Sequence, residues 1–300
     1  MMYSARFRTV AIAACTLAMV VLGTGLLDAQ GGGAGGRGGQ SGPLGQAAQF
    51  DLAGKTTQAR SILAVVIDTT TDPAARANAR RAMAMSYAFD GDCANTVQYE
   101  NQVIDYWRTR EQAEPQNAFY QEGEMADEAA RVCIDAGDLA TSERLYREGY
   151  ARGILEPAPK THPLSLWDFR LAHALGRLAA RRGEHDAAMQ QIAAARKALA
   201  RDTAVASQQE RFLPYLTGYV ALYTGDLKTA EADLTKAIGM QGNQRDPFMH
   251  CLLAMTLERA GRNADADALY HQAYDMATAH NPPAAFVRPF VRKKLGLTGD

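Results

Sequence analysis

Along most of the chain, apolar residues recur three or four positions apart, and no stretch shows the every-second-residue alternation of a half-buried strand. With boundaries set by Gly, Pro and Asp, this pattern predicts a first helical hairpin over 47–53 and 56–69. Helices follow over 74–89, 94–110, 118–135, 139–152, 164–182 and 185–201. A long helix is predicted over 203–223, kinked where Pro214 deletes an amide donor. The remaining helices are predicted over 227–240, 247–260, 264–278 and 284–295. Pro157, Pro159 and Pro163 make a rigid connector in the middle. The last helix carries Phe286, Val287 and Phe290 on one face and Arg288, Arg292, Lys293 and Lys294 on the other. That polarity suits a cap over an open hydrophobic end, with Pro289 bending it.

A longer period overlies the helical one. From Tyr215 to Ala273 the chain reads twice as one unit. Gly218, Gly225-Asp226, Ala230, Leu234 and Ala237 are answered, 36 residues on, by Ala254, Gly261, Ala266, Tyr270 and Ala273. Small residues at these points let two antiparallel helices approach, Leu234 and Tyr270 fill the groove between them, the punctuating Gly ends the first helix, and an Asp after it, as at Asp226, can cap the second. The same spacing fits Leu175, Gly176, Gly183, Ala188, Ile192 and Ala195 well. It fits Ala130, Gly137, Ser142, Tyr146 and Gly149 fairly. Ala84, Tyr87, Gly91, Thr96 and Val103 fit more loosely, with Glu100 where an apolar residue is expected, and the first unit runs from Ala47 through Gly54 to Val66.

These residues resemble the tetratricopeptide (TPR) helix–turn–helix signature. The resemblance covers about residues 44–280 and implies an all-α solenoid of about six stacked antiparallel helix pairs plus a C-terminal capping helix. The turn glycines at 54, 91, 137, 183, 225 and 261 lie 37, 46, 46, 42 and 36 residues apart. The wide central spacings depart from a repeat of about 34 residues, so the middle helices are expected to be longer or joined by real loops. In domain terms, 1–29 is a signal peptide or anchor, 30–46 a Gly-rich linker, 47–280 the repeat domain and 281–300 the capping helix and tail.

The N-terminus changes the picture of where the protein works. Arg6 and Arg8 precede an apolar run from Val10 to Leu27, and Ala29 offers a small residue before a cut. This is the make-up of a secretory signal peptide, which places the mature chain in a bacterial periplasm or outside the cell. The alternative is an uncleaved inner-membrane anchor over residues 10–27, about the shortest length that spans. Ile12-Ala13-Ala14-Cys15 resembles a lipoprotein box, but too little apolar sequence precedes it. In an oxidising envelope cysteines pair. Stacked hairpins would bring Cys93, at the start of one second helix, to Cys133, at the end of the next first helix. A Cys93–Cys133 disulfide is therefore expected, the alternative being two separately buried thiols.

Net charge is −1 over 300 residues, so nothing favours nucleic acid or an anionic membrane as partner. Gly33 to Gly38 matches the dinucleotide pattern only by glycine-rich composition, and Gly54-Lys55-Thr56 lacks the preceding Gly of a phosphate loop. The six histidines never recur three or four apart, and no zinc or nucleophile-elbow motif is present. No enzyme, metal or cofactor is expected.

Binding is better supported. In TPR-like stacks the first helix of each pair lines the concave face. The resemblance therefore assigns a stripe of Asn78, Arg81 and Met85, then Glu124, Asp127 and Arg131, then Arg170, His173 and Arg177. Phe212, Tyr215, Tyr219 and Tyr223 continue it, and Phe248, Cys251 and Met255 end it. Arg and Tyr anchor interfaces well. The expectation is a scaffold that takes a peptide or protein partner in this groove, Arg170 and Arg177 meeting its acidic group. Two alternatives stay open: a glycan or peptidoglycan module stacking sugars on the aromatics, and an enzyme with a site between repeats. The tyrosines could instead pack against neighbouring helices. The Lys/Asn clamp of chaperone-binding relatives is absent, since Leu44, Ala48 and Ala82 occupy the comparable positions.

Overall fold

The structure is a computed structural model that describes residues 42–297. The signal or anchor segment 1–29 and the linker up to residue 41 lie outside them, so neither expectation is met or refused there. The described residues are all-helical, without strands. They run α1 (Pro43–Leu52), α2 (Thr56–Thr69), α3 (Pro73–Ala88), α4 (Cys93–Arg108), α5 (Pro115–Ala136), α6 (Leu139–Gly153) and α7 (Leu164–Arg181). Then follow α8 (His185–Ala200), α9 (Thr203–Gln209), α10 (Leu213–Thr224), α11 (Leu227–Gly239), α12 (Pro247–Arg259), α13 (Asn263–Met276) and α14 (Pro282–Leu295). None of them is long and apolar enough to cross a membrane.

Helices pack mainly on their chain neighbours, most closely α5 with α6 and α7 with α8, then α12 with α13, α3 with α4, α4 with α5 and α10 with α11, and less closely α1 with α2. The turns follow from the sequence. Gly54, Gly91, Gly137, Gly183, Gly225 and Gly261 all take positive φ, a backbone shape that costs a side chain energy. Where Asp follows the glycine, at Asp92, Asp138 and Asp226, its carboxylate accepts an amide three residues on and caps the next helix. Between the paired helices, Leu234 and Tyr270 are fully buried. A Cβ on Gly218 would sit 2.8 Å from Leu234 Cγ, so that glycine sets the approach of α10 to α11.

Three expectations are corrected. The linker ends earlier than residue 46, because Pro43 opens α1; proline is well suited to a first helical turn, where no amide is needed. The single kinked helix over 203–223 is broken in two: α9 ends, a 3₁₀ turn spans Glu210–Phe212, and Pro214 stands in the first turn of α10. Restarting there leaves no interior amide missing, and the Arg211 carbonyl is satisfied by Asn243 Nδ2 at 3.0 Å.

The third concerns α14. It does more than cover the end of the stack: beyond α12 and α13 it packs against α3, α5 and α1, and so bridges the last helices to the first. Its basic face is not simply turned to water. Arg292 donates to the Leu52 carbonyl of α1 at 2.9 Å, and Arg288 donates to the Ala277 carbonyl at 2.8 Å. Just before the helix, His280 Nε2 lies 2.8 Å from Asp51, and its ring stacks on Phe89 with centroids 5.5 Å apart. Cys93 and Cys133 are disulfide-bonded, tying the start of α4 to the end of α5 with 4.8 Å between Cα atoms.

Candidate functional site

The wall formed by α3, α5, α7, α10 and α12 carries most of the residues the sequence assigned to partner binding, but it does not present them to solvent. Arg170, His173, Arg177, Phe212, Tyr215 and Tyr219 are buried, while Arg81, Tyr223, Phe248 and Met255 are half-buried or more exposed at their side chains. The exposed-stripe expectation is therefore corrected for the first six. The reason is that stripe residues of successive first helices face one another across the pair interfaces. Arg170 of α7 pairs with Glu124 and with Asp127 of α5, the latter at 2.8 Å, and lies over the Trp167 ring. The acidic group it was expected to meet on a partner is supplied by the chain itself. Arg81 of α3 likewise pairs with Glu128 of α5, its Nε 2.9 Å from Oε2.

Arg177 is different. No carboxylate lies within ion-pair distance among the described residues. Its guanidinium donates to the Tyr146 hydroxyl at 2.8 Å and the Tyr215 hydroxyl at 3.3 Å, and its Nε has no partner. His173 is wedged between Phe169 and Tyr215, and burial, reinforced by Arg177, holds its pKa well below the usual imidazole range. It is a neutral ring in the core rather than a ligand or base. Tyr215 contacts Tyr219 and Phe248 edge to face, and Phe248 in turn contacts Phe286 of α14.

Open space remains between this wall and α14, in two abutting parts. The polar part, about 30 Å³, is lined by Arg131 and Asp135 of α5, Arg177, Tyr215, Asp246 and Phe248. The apolar part, about 260 Å³, lies between Phe89 and Val132 on the wall and Ala285, Phe286, Pro289 and Phe290 of α14. Asp135 and Pro282 line both. Asp246 is partly committed, since it caps α12 through the Met249 amide at 2.9 Å. Asp135 makes no hydrogen bond or ion pair among the described residues. Burial raises its pKa to about 7 against the pull of Arg177, Arg181 and Arg131.

Asp135 was missed at the level of sequence, yet it had a signal. It continues the named stripe Glu124, Asp127, Arg131 by one further helical turn. Among the described residues, no group of His, Cys, Asp and Glu is arranged to hold a metal ion. Cys251, the one free thiol among the described residues, is fully buried, and burial raises its pKa far above the ordinary range, so it is packing rather than a nucleophile. No protein-family model matches the chain, and no match is found among curated proteins.

Proposed function

We propose that the chain is a non-enzymatic binding protein of the bacterial cell envelope, a TPR-like solenoid of six helix pairs whose inner wall holds a peptide or protein segment. The observation that carries this reading is the seat of α14. A helix of the chain's own lies along α3, α5 and α12, with Phe286 and Phe290 stacked on each other and set against Phe248 and Tyr270. A wall that accepts one amphipathic helix has the chemistry to accept another with aromatic anchors at i and i+4. The recurrent positive-φ glycines and adjacent helix pairs support the solenoid, and Arg6, Arg8 and the apolar run to Leu27 support export.

The groove is self-occupied, so a partner competes with α14 for it. Tyr215 and Tyr219 lie inside, which weighs against a sugar-stacking surface. The test is photo-crosslinking from the inner wall, at Met255, in the native envelope, for the wild type and for Phe286→Ala/Phe290→Ala. Loosening α14 should raise the yield of crosslinked partner several-fold. An unchanged yield, or crosslinks that stay within the chain in both forms, would overturn the reading.

A further inference from the structure

We propose that the space enclosed between α14 and the inner wall is a binding site for a free α-amino acid with a large apolar side chain. In this site Asp135 takes the ammonium group, Arg177 and Tyr215 take the carboxylate, and the side chain enters the apolar part. The inference goes beyond the partner-binding reading and does not rest on it.

The charges that line the polar part decide the class of ligand. Arg131 and Arg177 stand against Asp135 and Asp246 around one small cavity. An anion would meet two carboxylates, a cation would meet two guanidinium groups, and an uncharged apolar molecule would leave Asp135 and the Arg177 Nε desolvated without partners. A zwitterion satisfies both signs at once. Asp135 is the group with hydrogen-bonding capacity to spare, since its carboxylate is engaged by nothing in the described chain, whereas Asp246 already serves as a helix cap.

On the other side, Arg177 is buried, with hydroxyls as its hydrogen-bond partners among the described residues. Accepting from that guanidinium leaves the Tyr215 O–H free to donate into the cavity, where a carboxylate oxygen would receive it. The order of groups also fits. Asp135 and Pro282 line both parts, so an ammonium held at Asp135 places the Cα of the ligand at the junction and aims its side chain between Val132, Phe89, Phe286 and Phe290. The polar part, about 30 Å³, has room for two small polar groups at about 10–15 Å³ each, and the apolar part, about 260 Å³, has room for the side chain. Because α14 forms one wall of the apolar part, a bound ligand would also brace this helix.

Isothermal titration calorimetry on the full mature chain tests the assignment, with L-phenylalanine and L-leucine as probes. N-acetyl-L-phenylalanine and L-phenylalaninamide each remove one charge of the pair and distinguish a free amino acid from a peptide end. Binding of the free amino acids is expected, with each blocked compound weaker by about thirtyfold or more, the scale of losing one partner of a buried charged pair. Asp135→Asn should weaken L-phenylalanine to a similar extent, and far-UV circular dichroism with a thermal melt establishes that the variant is folded, since Asp135 also faces Arg177 and Arg181 in the empty protein. Arg177→Lys, which keeps the charge but loses the forked donor geometry, should reduce affinity for L-phenylalanine more than for L-phenylalaninamide. The inference is overturned if neither amino acid binds at millimolar concentration, if the blocked compounds bind as well as the free ones, or if folded Asp135→Asn binds unchanged.

Discussion

At the scale of single residues, Glu100 departs most clearly from the pattern of its neighbours. It lies on α4 between α3 and α5, where the matching positions of the other helix pairs carry Leu63, Tyr146, Ile192, Leu234 and Tyr270. Both its oxygens are buried without a hydrogen-bond partner. Burial pushes its pKa well above the carboxylate range, Glu128 pushes it further, and Arg81 opposes them. A carboxyl group whose folded pKa is raised binds its proton more tightly in the folded state than in the unfolded chain. Its cost is therefore absent below the unfolded value of about 4.3 and grows as pH rises from there toward the folded pKa. Glu100→Met should stabilise the protein at pH 8 by about 1–3 kcal/mol, because it removes an unpaired buried acid from a site shaped for an apolar side chain. The same variant should gain less than that at pH 4. Urea melts at the two pH values check it, and an equal gain at both would show that packing rather than charge is responsible.

At the scale of elements, the sequence located nearly every helix because each boundary is a local event. A glycine that can adopt positive φ, an aspartate that can cap and a proline that can only start a turn need nothing from the rest of the chain. The exception is instructive. Pro214 was readable as a break, but whether the chain bends through it or stops and restarts depends on Asn243, a residue of the α11–α12 connection that satisfies the Arg211 carbonyl. The Cys93–Cys133 bond joins two such elements across 40 residues. On loop-closure grounds, its reduction, or Cys93→Ser/Cys133→Ser, should cost about 3–4 kcal/mol. Thermal melts with and without reductant measure the loss, and a wild type indifferent to reductant would mean that the bond contributes nothing in solution.

At the scale of the whole molecule, α14 alters what kind of object the chain is. A linear stack transmits stability only between neighbours and can fray from either end. Here Arg292 reaches the carbonyl of Leu52, the last residue of α1, and His280 reaches Asp51 beside it, so that the last segment holds down the first. His280→Ala/Arg292→Ala should release that closure. Amide exchange in α1 and α2 should speed up by about tenfold or more, while α7 and α8 keep their protection. Uniform acceleration throughout would argue that the contact serves only general stability.

The sequence by itself determined the helices, their glycine corners, their capping aspartates and the pairing of neighbours, because these depend on residues close together in the chain. It also named Arg170, Arg177, Tyr215 and Tyr219 as one surface. Only the tertiary structure decided that this surface faces inward: Glu124 and Asp127 lie 46 and 43 residues from Arg170, and α14 returns across the wall from the far end. Whether a side chain at a given helical position meets water, a neighbour or a ligand is set by what packs opposite it, and no local spacing carries that information.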